Sequence, residues 1–426
     1  MSNYQPNKIK SLFHSLRRAL AKTWLQITKP TIIAITGSQG KTTTTHILTQ
    51  LFPDAIITDI NLDTLYNVPI TALKVRPWNK LAIFELGIDH INEMDLHLEI
   101  VKPTIALVTG ISAVHSDSEH LGSVANIVKE KGKIVKALDQ TGFAILNWDD
   151  TNVRNMQSLT SAQTVYFGTD SKQCQVYFDP TEISLTLNGS TGKIYDQGQA
   201  IEIKTKLIGK HQFYNIASAY AVYKIQLHSK GIGDSEIRET FQKQIARVTA
   251  LKGRLSIEDG PRGTIILNDS LRANPTSTKA GLEILADIQD HIGQKFAILG
   301  EMGELGDLAE TSHSSIGKVI AKTHPDYFIG IGPLHKYTIE EAVRNGFEPE
   351  RALYAANPLE AFEIVKSLVK KGDIIYLKGS LMRHLERILM RLNTEVVNCD
   401  TAFCPFYNHC SKCKYRYSGY KNQTIL

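Results

Sequence analysis

The chain has 426 residues, 42% apolar and 21% charged, which is ordinary globular usage and long enough for two or three domains with buried cores. No stretch approaches the roughly 18 to 20 consecutive apolar residues of a membrane-spanning helix, so a transmembrane protein is excluded. The net charge of +5 sits at the front: seven bases and no acid precede Asp54, leaving −2 for the rest, which argues against a general nucleic-acid binder.

The first element is an amphipathic helix. Lys8 to Ile27 places Ile9, Leu12, Phe13, Leu16, Leu20, Trp24 and Ile27 at helical spacing, with Lys and Arg opposite. Two readings fit: peripheral attachment to an anionic membrane surface, or packing on its own domain. The segment has no apolar secretory core or cleavage site, and the five cysteines are not spread as a secreted disulfide framework, so a cytoplasmic protein is expected.

Thr31 to Thr36 (TIIAIT) reads as an apolar strand, followed by Gly37-Ser38-Gln39-Gly40-Lys41-Thr42 and a helix from about Thr43 to Phe52. Strand, glycine loop and helix make a phosphate site. The glycines let backbone amides approach phosphate oxygens, Lys41 reaches the β and γ phosphates, Thr42 offers a hydroxyl to Mg²⁺, and the helix N-terminus adds its dipole. The strict G-x-x-x-x-G-K-[ST] pattern would need glycine where Ile35 stands, so this is a shortened loop.

Apolar runs at Leu81 to Leu86 and Ile105 to Thr109 alternate with helical patterns such as Gly122 to Leu138, which predicts a parallel sheet with crossover helices. From Val165 to Leu207 strands alternate with turns, a small antiparallel excursion, and helices from about Asn215 and Asp234 follow. After Arg254 a second alternation begins: Thr264 to Leu267, a helix from Thr276 to Asp290, Phe296 to Leu299, a helix from Ser312 to Thr323, Tyr327 to Ile331, Ile374 to Leu377, and a helix from Leu381 to Leu392. The fold class is therefore α/β: a P-loop ATPase domain with a parallel sheet and a small antiparallel excursion, then a Rossmann-like domain without a dinucleotide fingerprint. The expected divisions are residues 1–28, 29–248, 249–393 and a cysteine-rich tail at 394–426.

The segment ITGSQGKTTTTHIL resembles the ATP loop of the Mur ligases, ATP-dependent amide-bond ligases. Asn67-Val68-Pro69, Glu85-Leu86-Gly87, His115, Lys131-Gly132, Asn147-Trp148-Asp149-Asp150, Gly209-Lys210-His211 with Asn215, and Gly253-Arg254 resemble successive family landmarks in order. ELGIDHINEMD, NDSLRANPTS, LGEMGELGDLAETSH and Lys378-Gly379-Ser380 are most similar to members that add D-alanyl-D-alanine to a peptidoglycan precursor. The resemblance covers about residues 30 to 393. It departs at Asn268, Leu271, Arg272, Glu301 and Gln212. Only about 28 residues precede the first strand, too few for the domain with which usual members hold a UDP-linked sugar peptide. A lipid-linked precursor is one expectation from that difference.

The resemblance implies that ATP activates a carboxylate as an acyl phosphate, which an amine then attacks. It makes Lys41, His115, Lys131 and Arg254 the catalytic candidates, with Thr42, Glu85 and His115 as Mg²⁺ ligands and Lys131 as a carbamate. It places ATP on Gly37 to Thr43, Asn215, Arg254, Asp269 and Asn274. Plain alternatives stand beside these: a structural His115, an exposed helix lysine at 131, an N-cap at Asn215. Other acceptors remain open, namely an amino acid, polyglutamate, or amidation with a partner amidotransferase, as does a non-catalytic ATP-binding module.

The tail carries Cys399-x₄-Cys404-x₅-Cys410-x₂-Cys413. Four thiolates can bind a structural Zn²⁺ tetrahedrally, and this spacing approximates the two-to-four-residue spacing of zinc-ligand pairs, with His409 as a substitute ligand and iron–sulfur, disulfide or free thiols as alternatives.

Overall fold

The β-branched run Thr31–Thr36 is buried almost throughout, as a strand covered on both faces must be. In this computed structural model, which describes residues 8–59, 64–112, 121–303, 305–406 and 409–420, that strand lies inside a ten-stranded sheet. Parallel strands run in the order Ile56–Ile57, Leu81–Glu85, Thr31–Thr36, Ile105–Val108, Phe143–Asn147, Gln163–Gly168 and Val176–Tyr177. Gly189–Asp196 then pairs antiparallel and Gln199–Thr205 closes the edge. The antiparallel excursion thus starts later than Val165: Phe167 is buried and in parallel register with Asn147, so the apolar pairing continues the parallel sheet.

The chain divides into two units. The first comprises Met1–Ile183, Thr191–Lys204 and His211–Val248, and the second Ser184–Ser190, Thr205–Lys210 and Thr249–Leu426. The hairpin end expected with the first domain groups with the second, where Leu185 and Leu187 pack on its core. The N-terminal helix, Lys8–Thr28, belongs to the first unit: Ala21 and Leu25 are buried against it, and Trp24 Nε1 donates to the Val75 carbonyl at 2.6 Å.

The second unit has its own six-stranded sheet, ordered Ser256–Asp259, Ile265–Asp269, Ile374–Lys378, Lys295–Gly300, Tyr327–Ile331 and Ala352–Ala355, parallel except at its first pair. An apolar core lies on each side, one around Leu282, Phe328 and Tyr376, the other around Phe296, Val365 and Ile388. Helices His335–Arg344 and Pro358–Leu368 and strand Ala352–Ala355 are elements that the pattern reading passed over. The expected helix from Leu381 instead begins as a short 3₁₀ turn, and the α-helix covers only Glu386–Leu392. His384 breaks it with φ 48°, held there by side-chain bonds to Glu386 and to the Phe406 carbonyl.

Candidate active site

The strand order sets the first unit's site. Leu81–Glu85 and Ile105–Val108 flank Thr31–Thr36 on either side, so the chain reverses direction across the sheet at that strand. Ligands of open α/β sheets collect at the carboxyl ends of strands beside such a reversal. Three strand ends therefore gather the glycine loop, Glu85 and Thr109.

Helix Lys41–Leu51 opens at Gly40, which takes φ 78° and leaves the helix without a side-chain cap. A Cβ on Gly40 would stand 2.6 Å from Asn215 Oδ1, and one on Gly37 would stand 2.1 Å from Thr109 Oγ1. Only glycine fits at either place, and the uncapped amides of the first turn form an anion site. Lys41 Nζ donates to the Gly37 carbonyl at 2.6 Å, within the loop it would serve. Ser38 N donates to the Gly110 carbonyl at 2.7 Å, and Thr109 Oγ1 donates to the Gln39 carbonyl. Thr43 is half-buried in the helix's first turn.

Thr42 Oγ1 donates to Glu85 Oε1 at 2.9 Å, while the Glu85 amide is held by Thr58 Oγ1 at 2.9 Å. A hydroxyl and a carboxylate oxygen so placed beside a phosphate loop form a hard-oxygen pair that suits Mg²⁺. Lys131, on helix Val124–Lys136, is 4% exposed. Burial and then the Lys41 charge hold its amine well below the ordinary lysine range, opposed by Asp89 and Glu85. A buried lysine whose amine feels Lys41, Asp89 and Glu85 is not the exposed helix lysine of the plain reading. Asn215 lies inside helix Gln212–His228, three residues past its start, so it is not the cap. Its Oδ1 accepts from Thr44 Oγ1 at 3.2 Å and its Nδ2 donates to Gln212 Oε1 at 2.9 Å. His115 lies outside the described residues. The loop leading toward it is fixed by Asp150 Oδ2, which accepts from Ile111 N at 2.6 Å, and by Asn147 Nδ2, which donates to the Thr109 carbonyl at 2.9 Å.

Thr109 and Asp150 were not singled out from sequence as site residues. The strand end at Thr109 was the available signal, but a threonine's partners depend on which strand lies next to it.

In the second unit, Lys378 Nζ meets Asp269 Oδ2 at 2.6 Å and the Arg272 carbonyl at 2.7 Å. Parallel register places these two residues side by side. Both are buried; burial pushes the Asp269 carboxyl up and the Lys378 amine down, against the attraction between them, and Arg254 is among the charges acting on both. Asn274 caps helix Pro275–Asp287: its Oδ1 accepts from Ser277 N at 2.9 Å in a reciprocal capping box. That local work accounts for its position before any ligand is considered. His313 accepts from the Met302 amide at Nε2, 3.2 Å, and donates from Nδ1 to the Ala309 carbonyl, 2.7 Å, which fixes a neutral ring in the interior. The four tail cysteines line one cavity of this unit.

Residues 35–223 match the Mur ligase middle domain, and residues 253–381 match the Mur ligase glutamate ligase domain. The UDP-N-acetylmuramoyl-tripeptide--D-alanyl-D-alanine ligase of Bacillus subtilis is 28% identical over 376 residues, covering 88% of this chain and 78% of that protein. The Escherichia coli enzyme of the same name is 28% identical over 369 residues, 85% and 76% of the two chains. Among solved structures, MurF from Acinetobacter baumannii superposes with a TM-score of 0.78 at 24% identity, over 90% of this chain and 81% of that one. MurF from Thermotoga maritima in complex with ADP gives 0.76 at 21% identity, over 90% and 84%. The structural likenesses establish the fold, and the sequence matches across both units establish the kinship: the chain belongs to the Mur ligase family of ATP-dependent ligases.

Proposed function

We propose that this chain joins D-alanyl-D-alanine to the tripeptide carboxylate of a muramyl peptidoglycan precursor. The observation that carries this reading is the assembly of the phosphate loop and the Thr42–Glu85 pair at the carboxyl ends of adjacent interior strands, with buried Lys131 within reach of the Lys41 and Glu85 charges, in a chain whose relatives are named for that reaction.

Bound ATP with Mg²⁺ supplies the phosphoryl group that activates the carboxylate. The chain's own part is positioning and charge neutralisation. Gly37 to Thr43 cradle the phosphates, and Lys41, as a catalytic residue, neutralises the transferring group. Thr42, Glu85 and His115 are assigned to Mg²⁺, and Lys131, as a carbamate, to the same ion: burial lowers the pKa of its amine, and the deprotonated amine is the form that reacts with CO₂. Asn215 is assigned to the nucleotide, and Arg254 and Asp269 are kept as nucleotide-binding candidates on the family resemblance alone. Asn274 is retained in that set with its helix cap as the competing role.

The test is phosphate release from ATP with UDP-linked muramyl tripeptide, with and without D-alanyl-D-alanine, followed by product mass. Release that needs both, with a pentapeptide product, supports the reading. Release with a different amine, or only with a partner amidotransferase, moves the acceptor and keeps the chemistry. No release with any pair returns the chain to a non-catalytic ATP-binding role.

We also infer a cytoplasmic enzyme that touches the inner membrane face through helix Lys8–Thr28, where a lipid-linked precursor would be met. Among the described residues no helix is long and apolar enough to cross a membrane. Phe13, Leu16, Leu20 and Ile27 nevertheless form an exposed apolar row on the face away from Ala21 and Leu25. The Trp24 bond ties that helix to the loop bearing exposed Trp78 between Lys74, Arg76 and Lys80. Apolar side chains ringed by bases suit an anionic bilayer surface. Co-sedimentation with phosphatidylglycerol vesicles, lost in Leu16→Ser/Leu20→Ser, supports this; equal recovery with and without vesicles overturns it.

A further inference from the structure

The last stretch of the chain folds with almost no regular structure: beyond helix Glu386–Leu392 the only helical element among the described residues is the 3₁₀ turn Cys410–Lys412. Its apolar contribution is modest: Val397 and Cys410 on Met390, and an aromatic trio of Phe406, Tyr415 and Tyr420 with ring centroids 5.2 to 5.4 Å apart. A segment with so little core of its own needs a staple.

Four cysteines border one cavity there, with their sulfurs wider apart than the His384–Glu386–Cys410 cluster, the one group of three ligand atoms within 4.8 Å among the described residues. Cys399, Cys404, Cys410 and Cys413 line a single cavity together with His384 and Arg387, and all four are free. They form two pairs, x₄ and x₂, each within the two-to-four spacing of zinc ligands on one turn. Both pairs sit on turns. Burial pushes the Cys404 thiol up, the Phe406 backbone acts against it to favour the thiolate, and the Cys413 amide donates to the Cys410 carbonyl at 3.2 Å.

Arg387 supplies an independent sign. It is fully buried and donates to the carbonyls of Cys399 at 3.1 Å, Thr401 at 2.9 Å and His384 at 3.3 Å, and to Cys399 Sγ at 3.5 Å. These partners are neutral carbonyls and a thiol, and among the described residues none of the ion pairs involves Arg387. Buried charges are ordinarily paired. A dianionic centre at the cysteines supplies the missing partner.

We propose that Cys399, Cys404, Cys410 and Cys413 bind one Zn²⁺ as four thiolates, with Arg387 as the buried counter-charge, and that this centre fastens the tail to the second unit. On binding, each thiol gives up its proton to solvent, leaving a Zn–thiolate centre of charge −2. His384 and Glu386 lie within 4.8 Å of the Cys410 sulfur and are alternative ligands. Their atoms are already engaged: His384 bonds Glu386 and the Phe406 carbonyl at 2.9 Å each, and Glu386 accepts from the Cys410 amide at 3.2 Å. They orient the two cysteine turns.

The test uses the full chain purified without chelator, its metal measured by inductively coupled plasma mass spectrometry. One zinc per chain is expected in the wild type and in Cys174→Ser, falling several-fold in Cys404→Ser and in Cys413→Ser. Should these variants be insoluble, Co²⁺ exchanged into the wild type reads the site directly through intense tetrahedral visible bands and sulfur-to-cobalt charge transfer. Full zinc retention in both serine variants, a wild type that takes up no zinc, an iron–sulfur absorption spectrum, or peptides showing the four cysteines in disulfides each overturns the proposal. None of these readouts depends on ligase activity.

Discussion

The Thr42 hydroxyl lies 2.9 Å from Glu85 Oε1, joining the first turn of the phosphate-loop helix to the end of a neighbouring strand 43 residues away. The proposed metal site rests on this pair of oxygens. Glu85→Gln and Thr42→Ala are each expected to lower kcat about 10²- to 10³-fold, the usual scale for removing one preorganised electrostatic group. Circular dichroism should stay unchanged, because both side chains are only partly buried. Wild-type turnover in Glu85→Gln would remove that residue from the metal site.

Lys131 trades stability for function. Its folded pKa is depressed below 10.5, so between the two values the unfolded chain binds more protons and stability rises with pH; below the folded value the contribution is at its least. Lys131→Met should therefore abolish activity, raise stability at neutral pH by about 1–2 kcal/mol, and flatten the alkaline rise. Denaturant titrations at several pH values check the sign. The carbamate assignment adds a separate readout: activity should fall when dissolved CO₂ is stripped and return with bicarbonate.

The Asp269–Lys378 pair holds two central strands of the second unit at their carboxyl ends. Lys378→Met leaves a buried carboxylate without its partner and should cost about 3–5 kcal/mol in urea unfolding. Lys378→Met with Asp269→Leu should recover much of that loss, since an apolar pair leaves no uncompensated charge. Equal losses in the single and double variants would show that the strands do not depend on the pair's charge.

His335 is fully buried, and burial, with His313 next in effect, pushes its pKa down to about 3. Its contribution is present above the ordinary histidine value of 6.5 and is lost as pH falls toward 3, because the unfolded chain binds the proton first. The stability of the second unit should fall by about 1.4 kcal/mol per pH unit in that window. His335→Leu should reduce this slope, measured by denaturation between pH 6.5 and the onset of acid unfolding.

The strand, glycine turn and helix around Gly37 to Thr42 were legible from local pattern alone, because an apolar run, two glycines and a helix start are decided by neighbours in the chain. The parallel rhythm of both units was legible for the same reason, as was the cysteine spacing of the tail. Elements that carry weak local signals, such as Ala352–Ala355 and Pro358–Leu368, were not. Which strand lies beside Thr31–Thr36, and so which carboxylate meets Thr42, was decided by the sheet order. Burial likewise pushed the Lys131 amine below the ordinary lysine range, and packing drew His384 into a left-handed turn that ends the expected helix early. Torsional preference and periodicity are local and travel with the sequence. Desolvation and contact exist only once distant segments exclude water from one another, and there the tertiary structure decides.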